Sequence, residues 1–415
     1  MQGIGGGRRA AAGGRAEAAA PVRVSSVASN WPRIAGEVEH VPIVVIGAGM
    51  GGLTAAVRLA SAGIGVTLIE AQQGPGGKMR TLPSAAGPVD AGPTVLTLKA
   101  VFETVFAQAG ALLEDHLTLV PQPVLARHFW LDGSTLDLFT DVHASAEAIQ
   151  NFAGKKAADE FCRFNHLSDQ LYTAFDAPMM QAARPKLAQI ALNAAFRPRL
   201  WPALLPQATL ARQLARSFSD PRLRQLFGRY ATYVGGAPDL SPAVLALIWR
   251  AEAQGVWAVQ GGMHRLAQAL ADLATAKGAD LRYGVTATRI DRMAGRVCGV
   301  ELSDGRVLKC DTVLFNGDPA ALVAGLLGNG PQGAVRPSAT APRSLSAWVW
   351  SFAARPRGVD LVHHNVFFGN TPADEFGPIA QGRMPDEATL YICAQDRNDS
   401  GLAQADSERI FCLVN

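Results

Sequence analysis

Residues 41–70 read Val-Pro-Ile-Val-Val-Ile-Gly-Ala-Gly-Met-Gly-Gly-Leu-Thr-Ala-Ala-Val-Arg-Leu-Ala-Ser-Ala-Gly-Ile-Gly-Val-Thr-Leu-Ile-Glu, and no other stretch constrains the fold as tightly. An apolar run, Ile43 to Ile46, leads into Gly47, Gly49 and Gly52. Small apolar residues at helical spacing follow, then a second apolar run that ends in Glu70. Strand, turn, helix and strand in this order make a parallel βαβ unit. Gly47 permits the tight turn, Gly49 lets the backbone approach a pyrophosphate, and Gly52 brings the helix close to the strand. The helix N-terminus then presents N–H donors and the positive end of its dipole to the phosphates. Glu70 stands where a carboxylate accepts from a ribose 2′-hydroxyl and repels a 2′-phosphate. Gly-x-Gly-x-x-Gly alone is a weak signal; flanked by both strands and the acid it marks an adenine dinucleotide site.

A chain of 415 residues is long enough for two domains. Its 48% hydrophobic and 18% charged residues describe a globular protein, and a net charge of +3 gives no reason to expect a nucleic-acid partner. Cys162, Cys298, Cys310, Cys393 and Cys412 are scattered, without a Cys-x-x-Cys pair, which fits a reducing compartment and no zinc site. His363 and His364 are adjacent and read as surface or packing residues, so no metal is expected. Residues 1–40 are rich in Gly, Ala and Arg, with Glu17 as the first acid. They read as a disordered extension or an over-long translation start, although an Arg-rich, acid-poor start also resembles a transit peptide. No uncharged apolar window reaches the length of a membrane span.

Beyond Glu70, a second Gly-rich turn (Gly74-Pro75-Gly76-Gly77-Lys78-Met79-Arg80) replaces the helix that a nicotinamide domain would place there. Its amides, Lys78 and Arg80 suit a phosphate or a flavin. Asp90-Ala91-Gly92-Pro93-Thr94 is another tight turn, readable as ordinary loop chemistry or as part of a site. Residues 124–140 predict a hairpin turning at Asp132-Gly133, and 143–250 a mostly helical region. Within it, Arg184 to Arg216 carries six basic residues and no acid among Leu, Ala, Phe196 and Trp201. That segment fits a membrane interface and fits equally a solvated helical hairpin broken at Pro198 and Pro202. Gly261-Gly262-Met263 opens an amphipathic helix to 276, followed by a strand near Leu281–Tyr283, another from Val285 to Ile290, and a hairpin around 303–306. Val313 to Asp318 then returns to the core. A dinucleotide domain split by an insertion follows: 41–123 and 255–330 for the cofactor, 124–254 and 331–415 for the substrate.

In this order, Gly47-x-Gly49-x-x-Gly52, Glu70, Gly76-Gly77-Lys78, Asp90-Ala-Gly-Pro-Thr94 and Gly261-Gly262-Met263 resemble the flavin-dependent carotenoid desaturases. These belong to the superfamily of flavin amine oxidases, protoporphyrinogen oxidases and phytoene desaturases. Gly228-Arg-Tyr-Ala-Thr-Tyr-Val-Gly-Gly-Ala-Pro238, with Ser241-Pro242 after it, is similar to the carotenoid branch. Leu125-Ala-Arg-His-Phe-Trp130 is similar to the bacterial hydroxyneurosporene (1-hydroxycarotenoid 3,4-) desaturases. The resemblance implies an α/β (α+β) fold: a split Rossmann-type FAD-binding domain of the glutathione-reductase and amine-oxidase kind, with an inserted substrate domain. It also implies FAD, a long apolar polyene (an acyclic carotenoid) as substrate, and peripheral association with the cytoplasmic side of a bacterial inner membrane. Carried over by position, Gly47, Gly49 and Gly52 face the pyrophosphate and Glu70 the ribose. Gly76, Gly77, Lys78 and Arg80 lie along the pyrophosphate and flavin, and the backbone of Ala287 meets the adenine. Relatives often have Arg at position 78 and Val at 287, and they close the flavin site with a C-terminal Gly-rich segment. No such segment occurs between Phe368 and Asn415, so the closing piece is expected to be missing from this sequence.

The implied reaction removes two hydrogens from neighbouring carbons of an acyclic carotenoid. Conjugation delocalises the developing positive charge, so positioning and water exclusion suffice without a strong acid or base. The lack of a Ser-His-Asp, paired-carboxylate or metal signature agrees with that. Asp90, Arg127 and His128 are the polar candidates near the flavin, each with a structural reading beside the catalytic one. The competing readings are an amine or porphyrinogen oxidase, a non-catalytic lipid carrier on the same fold, and an NAD dehydrogenase.

Overall fold

The computed structural model describes residues 38–182, 184–205, 207–341, 343–397 and 407–415. Its centre is a four-stranded parallel sheet in the order Asp280–Arg282, Val66–Ile69, Ile43–Ile46, Thr312–Phe315. Ile43 pairs with Val66 and Ile46 with Ile69, while Phe315 pairs with Ile46 from the other side. The uninterrupted apolar sequence of the first strand has a cause: both its faces are covered. Val45 points to one face, where helix Met50–Ser61 packs through Leu53, Ala56 and Val57 against Leu266 and Leu270 of helix His264–Ala276. Val44 and Ile46 point to the other, against Ile290, Val300 and Leu308 of an antiparallel meander. The meander strands are Ala287–Met293, Arg296–Leu302 and Val307–Lys309.

A strand, Val38–His40, pairs in parallel with Val307–Lys309, which corrects the expectation of disorder through residue 40. Its main-chain pairing, with Val38 opposite Val307, holds it to the meander edge although its own side chains are poorly buried. Residues 1–37 of that expected extension lie outside the described residues.

A six-stranded sheet forms the rest of the scaffold, ordered Trp348–Ala354, Glu408–Val414, Leu390–Ala394, His364–Phe367, Val124–Phe129, Thr135–Phe139. The last two are the expected hairpin, and parallel pairing of Val366 with His128 joins it to strands more than 200 residues later in the sequence. Glu408–Val414 lies inside the sheet, in keeping with its apolar sequence. Helices between 142 and 253 build the adjoining core from Phe161, Phe164, Phe227 and Trp249. Described residues 184–205 and 207–217 carry short helices, Leu187–Ala195, Trp201–Leu204 and Leu210–Ser217, with a 3-10 turn at Pro198–Leu200 between the first two.

Candidate active site

The turn after the first strand is tied by backbone. Gly47 adopts a φ of +102°, and a Cβ on Gly52 would stand 2.0 Å from the Gly47 carbonyl oxygen. Glu70 is buried; its Oε2 accepts from the Ala48 N–H at 2.7 Å and its Oε1 from the Gln72 N–H at 2.8 Å. A carboxylate has about four lone-pair sites, so acceptor capacity remains after these two bonds. The second Gly-rich turn closes on the first, with the Gly76 N–H donating to Ala48 O at 2.8 Å. A Cβ on Gly77 would lie 3.1 Å from the Gly49 Cα. Helix Met50–Ser61 begins with no side-chain cap and no acid in its first turn, which leaves its N-terminus suited to an anionic ligand.

Asn316, at the end of strand Thr312–Phe315, completes this cradle. Its Nδ2 donates to Gly47 O at 3.3 Å, and a Cβ on Gly51 would meet its Oδ1 at 2.6 Å. Two residues on, Asp318 caps the next helix, and Arg343 holds its carboxyl down at about 2, with the Lys78 charge adding to the effect.

Beside the cradle lies a cavity of about 520 Å³. The Gly92–Thr94 turn forms one wall and is pressed against the cradle: a Cβ on Gly92 would stand 1.8 Å from Lys78 O. The opposite wall is a face of the six-stranded sheet, with His128, His364, Val366, Tyr391, Phe411 and Leu413. Leu125, Leu138, Leu226 and Val256 add an apolar lining. Polar groups enter at separate points. Tyr230 and Tyr233 both donate to the Glu252 carboxylate. The Tyr391 hydroxyl lies 2.7 Å from both Thr94 Oγ1 and His364 Nδ1. Burial depresses His364 well below the ordinary histidine range and raises Tyr391 and Glu252.

Residues 50–350 match the family described as flavin containing amine oxidoreductase. A hydroxyneurosporene desaturase of Cereibacter sphaeroides is 62% identical over 90% of this chain and 75% of its own length. One from Rubrivivax gelatinosus is 47% identical over 90% of this chain and 72% of its own. Among solved structures, a putrescine oxidase bound to putrescine superimposes with a TM-score of 0.59 at 13% identity, covering 91% of this chain and 76% of the other, which supports the fold alone. The chain belongs to the carotenoid desaturase branch of the flavin-containing amine oxidoreductases.

This desaturase-family chain is therefore an oxidoreductase whose cofactor is FAD. The cradle fits that group: Gly52 and Gly76 sit where a side chain would strike backbone at 2.0 and 2.1 Å, and the helix N-terminus is uncapped. Gly47, Gly49, Gly52, Gly76 and Gly77 would carry the pyrophosphate, and Glu70 the ribose. Lys78 and Arg80 are exposed beside this turn. Ala287 is buried in the cluster that holds Ile46 and Ile69, beside the ends of both parallel strands.

The three polar candidates part company. Asp90 is buried, and its carboxylate accepts from the Met263 N–H at 2.6 Å and the His264 N–H at 3.2 Å, capping helix His264–Ala276. Burial raises its pKa against those bonds. Arg127 forms an ion pair with Asp137 at 2.8 Å and one with Asp360, in a cleft separate from the apolar cavity. His128 alone of the three lines that cavity. Its Nδ1 donates to Leu136 O at 3.1 Å, and burial lowers its pKa to about 4, so it stays neutral with Nε2 as an acceptor. His363 and His364 are both buried, and their ligand atoms lie with the Cys393 thiol within 4.8 Å of one another. Asn316, Glu252, Tyr230, Tyr233 and Tyr391 carried no individual role in the sequence reading, although Tyr230 and Tyr233 stand inside the Gly228–Pro238 segment that marked the carotenoid branch, as Thr94 stands inside the Asp90–Thr94 turn.

Proposed function

We propose that this chain introduces a carbon–carbon double bond, at C-3,4, into an acyclic 1-hydroxy or 1-methoxy carotenoid. The observation that carries the reading is the apolar cavity walled on one side by the Gly92–Thr94 turn, itself pressed on the cofactor cradle. Two relatives named hydroxyneurosporene desaturase, at 62% and 47% identity, support the substrate class. FAD held in the cradle supplies a two-electron acceptor for hydride. The protein's share is to hold a flexible-ended polyene against that wall and exclude water, using Leu125, Leu138, Leu226 and Val366. His128, neutral and fixed in its tautomer, offers a lone pair at that wall without placing a charge against the polyene.

The division into cofactor parts 41–123 and 255–330 and substrate parts 124–254 and 331–415 belongs to the same proposal, as do the cofactor roles of Gly47 to Arg80 and Ala287. Peripheral docking on the cytoplasmic face of a bacterial inner membrane is supported by exposed Leu192, Phe196, Trp201 and Leu205 within the basic 184–216 segment. Among the described residues no helix is long and apolar enough to cross a membrane. The deciding experiment is to record flavin absorbance of the purified chain and incubate it with a 1-hydroxy acyclic carotenoid. A red shift matching one added double bond is expected. A flavin-loaded protein that leaves the polyene unchanged while oxidising an amine or a porphyrinogen would sink the reading.

A further inference from the structure

Among the described residues, Glu252 is the one acidic side chain lining the apolar cavity. Tyr230 donates to its Oε2 at 2.9 Å and Tyr233 to its Oε1. The two rings meet edge to face with centroids 5.9 Å apart; Tyr230 is buried and Tyr233 exposed. The guanidinium on the same cavity is engaged elsewhere: Arg229 forms an ion pair with Glu375 at 3.2 Å, and Glu375 also accepts from Thr389 at 2.6 Å. Among the described residues, Glu252 is thus held by phenols and not by a cation. Its pKa is raised by burial, and those of both tyrosines are raised well above the ordinary value. A hydrocarbon ligand returns nothing for the cost of desolvating a carboxyl group. A carboxylate that accepts two bonds still has lone-pair sites for another donor, and a ligand that brings an O–H repays the desolvation.

We propose that Glu252, clamped between Tyr230 and Tyr233, reads a hydroxyl on the end group of the polyene. The alcohol O–H would donate to a Glu252 oxygen, and this assignment rests on the carotenoid reading of the cavity given above. It predicts preference for the alcohol over the same polyene without it, because the unhydroxylated end leaves the carboxylate short of a donor.

The test measures kcat and KM of the flavin-loaded full chain for a 1-hydroxy acyclic carotenoid and for its unhydroxylated counterpart. Wild type, Glu252→Gln and Tyr233→Phe are compared, with flavin absorbance and thermal melting as checks of folding. Wild type should prefer the alcohol by about 100-fold or more in kcat/KM. Glu252→Gln should shrink that preference at least about tenfold, chiefly through KM for the alcohol, and Tyr233→Phe by a smaller factor. An equal loss on both substrates, or an unchanged preference, would overturn the assignment. Should Glu252→Gln fail to fold, Tyr233→Phe decides, since it removes only the hydroxyl and keeps the ring that packs edge to face on Tyr230. Wild type that desaturates neither polyene defeats the carotenoid reading itself, whereas desaturation of both with the preference intact in the variants defeats only the hydroxyl assignment. Flavin reduction by a linear primary amine would overturn both, the carboxylate and phenols then serving an ammonium group.

Discussion

The cofactor cradle and the proposed substrate cavity meet at the Gly92–Thr94 turn and are built on opposite principles. In the cradle, the proposed recognition is by backbone: Gly47, Gly52, Gly76 and Gly77 bring main chain within contact distance, and the Glu70 carboxylate serves two amides of the loop. In the cavity, recognition is done by side chains that arrive from remote strands and helices. Thr94 meets Tyr391 from a turn 297 residues away, and His364 meets the same hydroxyl from the neighbouring strand. A backbone site tolerates almost no added atoms, whereas a side-chain site can change its ligand by exchanging one group.

The contrast breaks most readily at Gly52. A Cβ there would stand 2.0 Å from the Gly47 carbonyl oxygen and 3.0 Å from the Asn316 amide nitrogen, and no side-chain rotation relieves the clash with the carbonyl. Gly52→Val should cost about 3 kcal/mol or more and give a protein without flavin absorbance or with a sharply lowered melting temperature. A stable, yellow Gly52→Val protein would show that the cradle is not closed by contact. Next in size is Glu70→Ala, which removes acceptors from the Ala48 and Gln72 amides. Two charge-assisted bonds of about 1.5–3 kcal/mol each are lost in part to water, so FAD affinity by fluorescence titration should fall about 10- to 100-fold. An unchanged affinity would mean the ribose is held by other groups.

These same differences explain what could be read from the sequence. The parallel core was legible because apolar runs and glycine spacing are local signals, and a strand covered on both faces has no other composition open to it. The hairpin at 124–140 was legible for the same reason. Strand Val38–His40 was not: its three residues have no apolar alternation, and its pairing with Val307–Lys309 is set by distant backbone. The cavity was illegible residue by residue. Glu252 reads as one charge on a short helix until Tyr230 and Tyr233 are seen to close on it. Asn316 likewise has no signal of its own; only the parallel register of Thr312–Phe315 on Ile43–Ile46 carries its amide over the Gly-rich turn. Asp90, read as a candidate beside the flavin, proved to cap a helix that begins 174 residues later.

The buried histidines test whether the cavity is as closed to charge as its lining implies. His128 binds a proton near pH 6.5 when unfolded and near 4 when folded. Stability from its neutral form is therefore complete above 6.5 and is lost as pH falls through that window, up to about 3 kcal/mol in all. His363 and His364, also depressed by burial, add slope of the same sign. In His128→Asn the acid side of the stability curve should flatten, so that the gap to wild type narrows by up to about 3 kcal/mol between pH 7 and pH 4 in urea unfolding. A gap independent of pH would mean that His128 is hydrated in the folded protein.

Arg127 sets the other limit, because it adjoins His128 in sequence yet points out of the cavity. Alternation along strand Val124–Phe129 puts neighbours on opposite faces, so the His128 face closes the cavity and the Arg127 face meets Asp137 and Asp360. Asp360 is 83% exposed and the Asp137 carboxylate is partly so, hence both recover water once the guanidinium is gone. Arg127→Ala should then cost only about 1 kcal/mol, with flavin content and turnover of the polyene kept within about twofold and the loss smaller still at high salt. Were turnover to fall by an order of magnitude while the melting temperature held, the strand would be transmitting to the cavity from its outer face, and the separation between the two clefts would have to be abandoned.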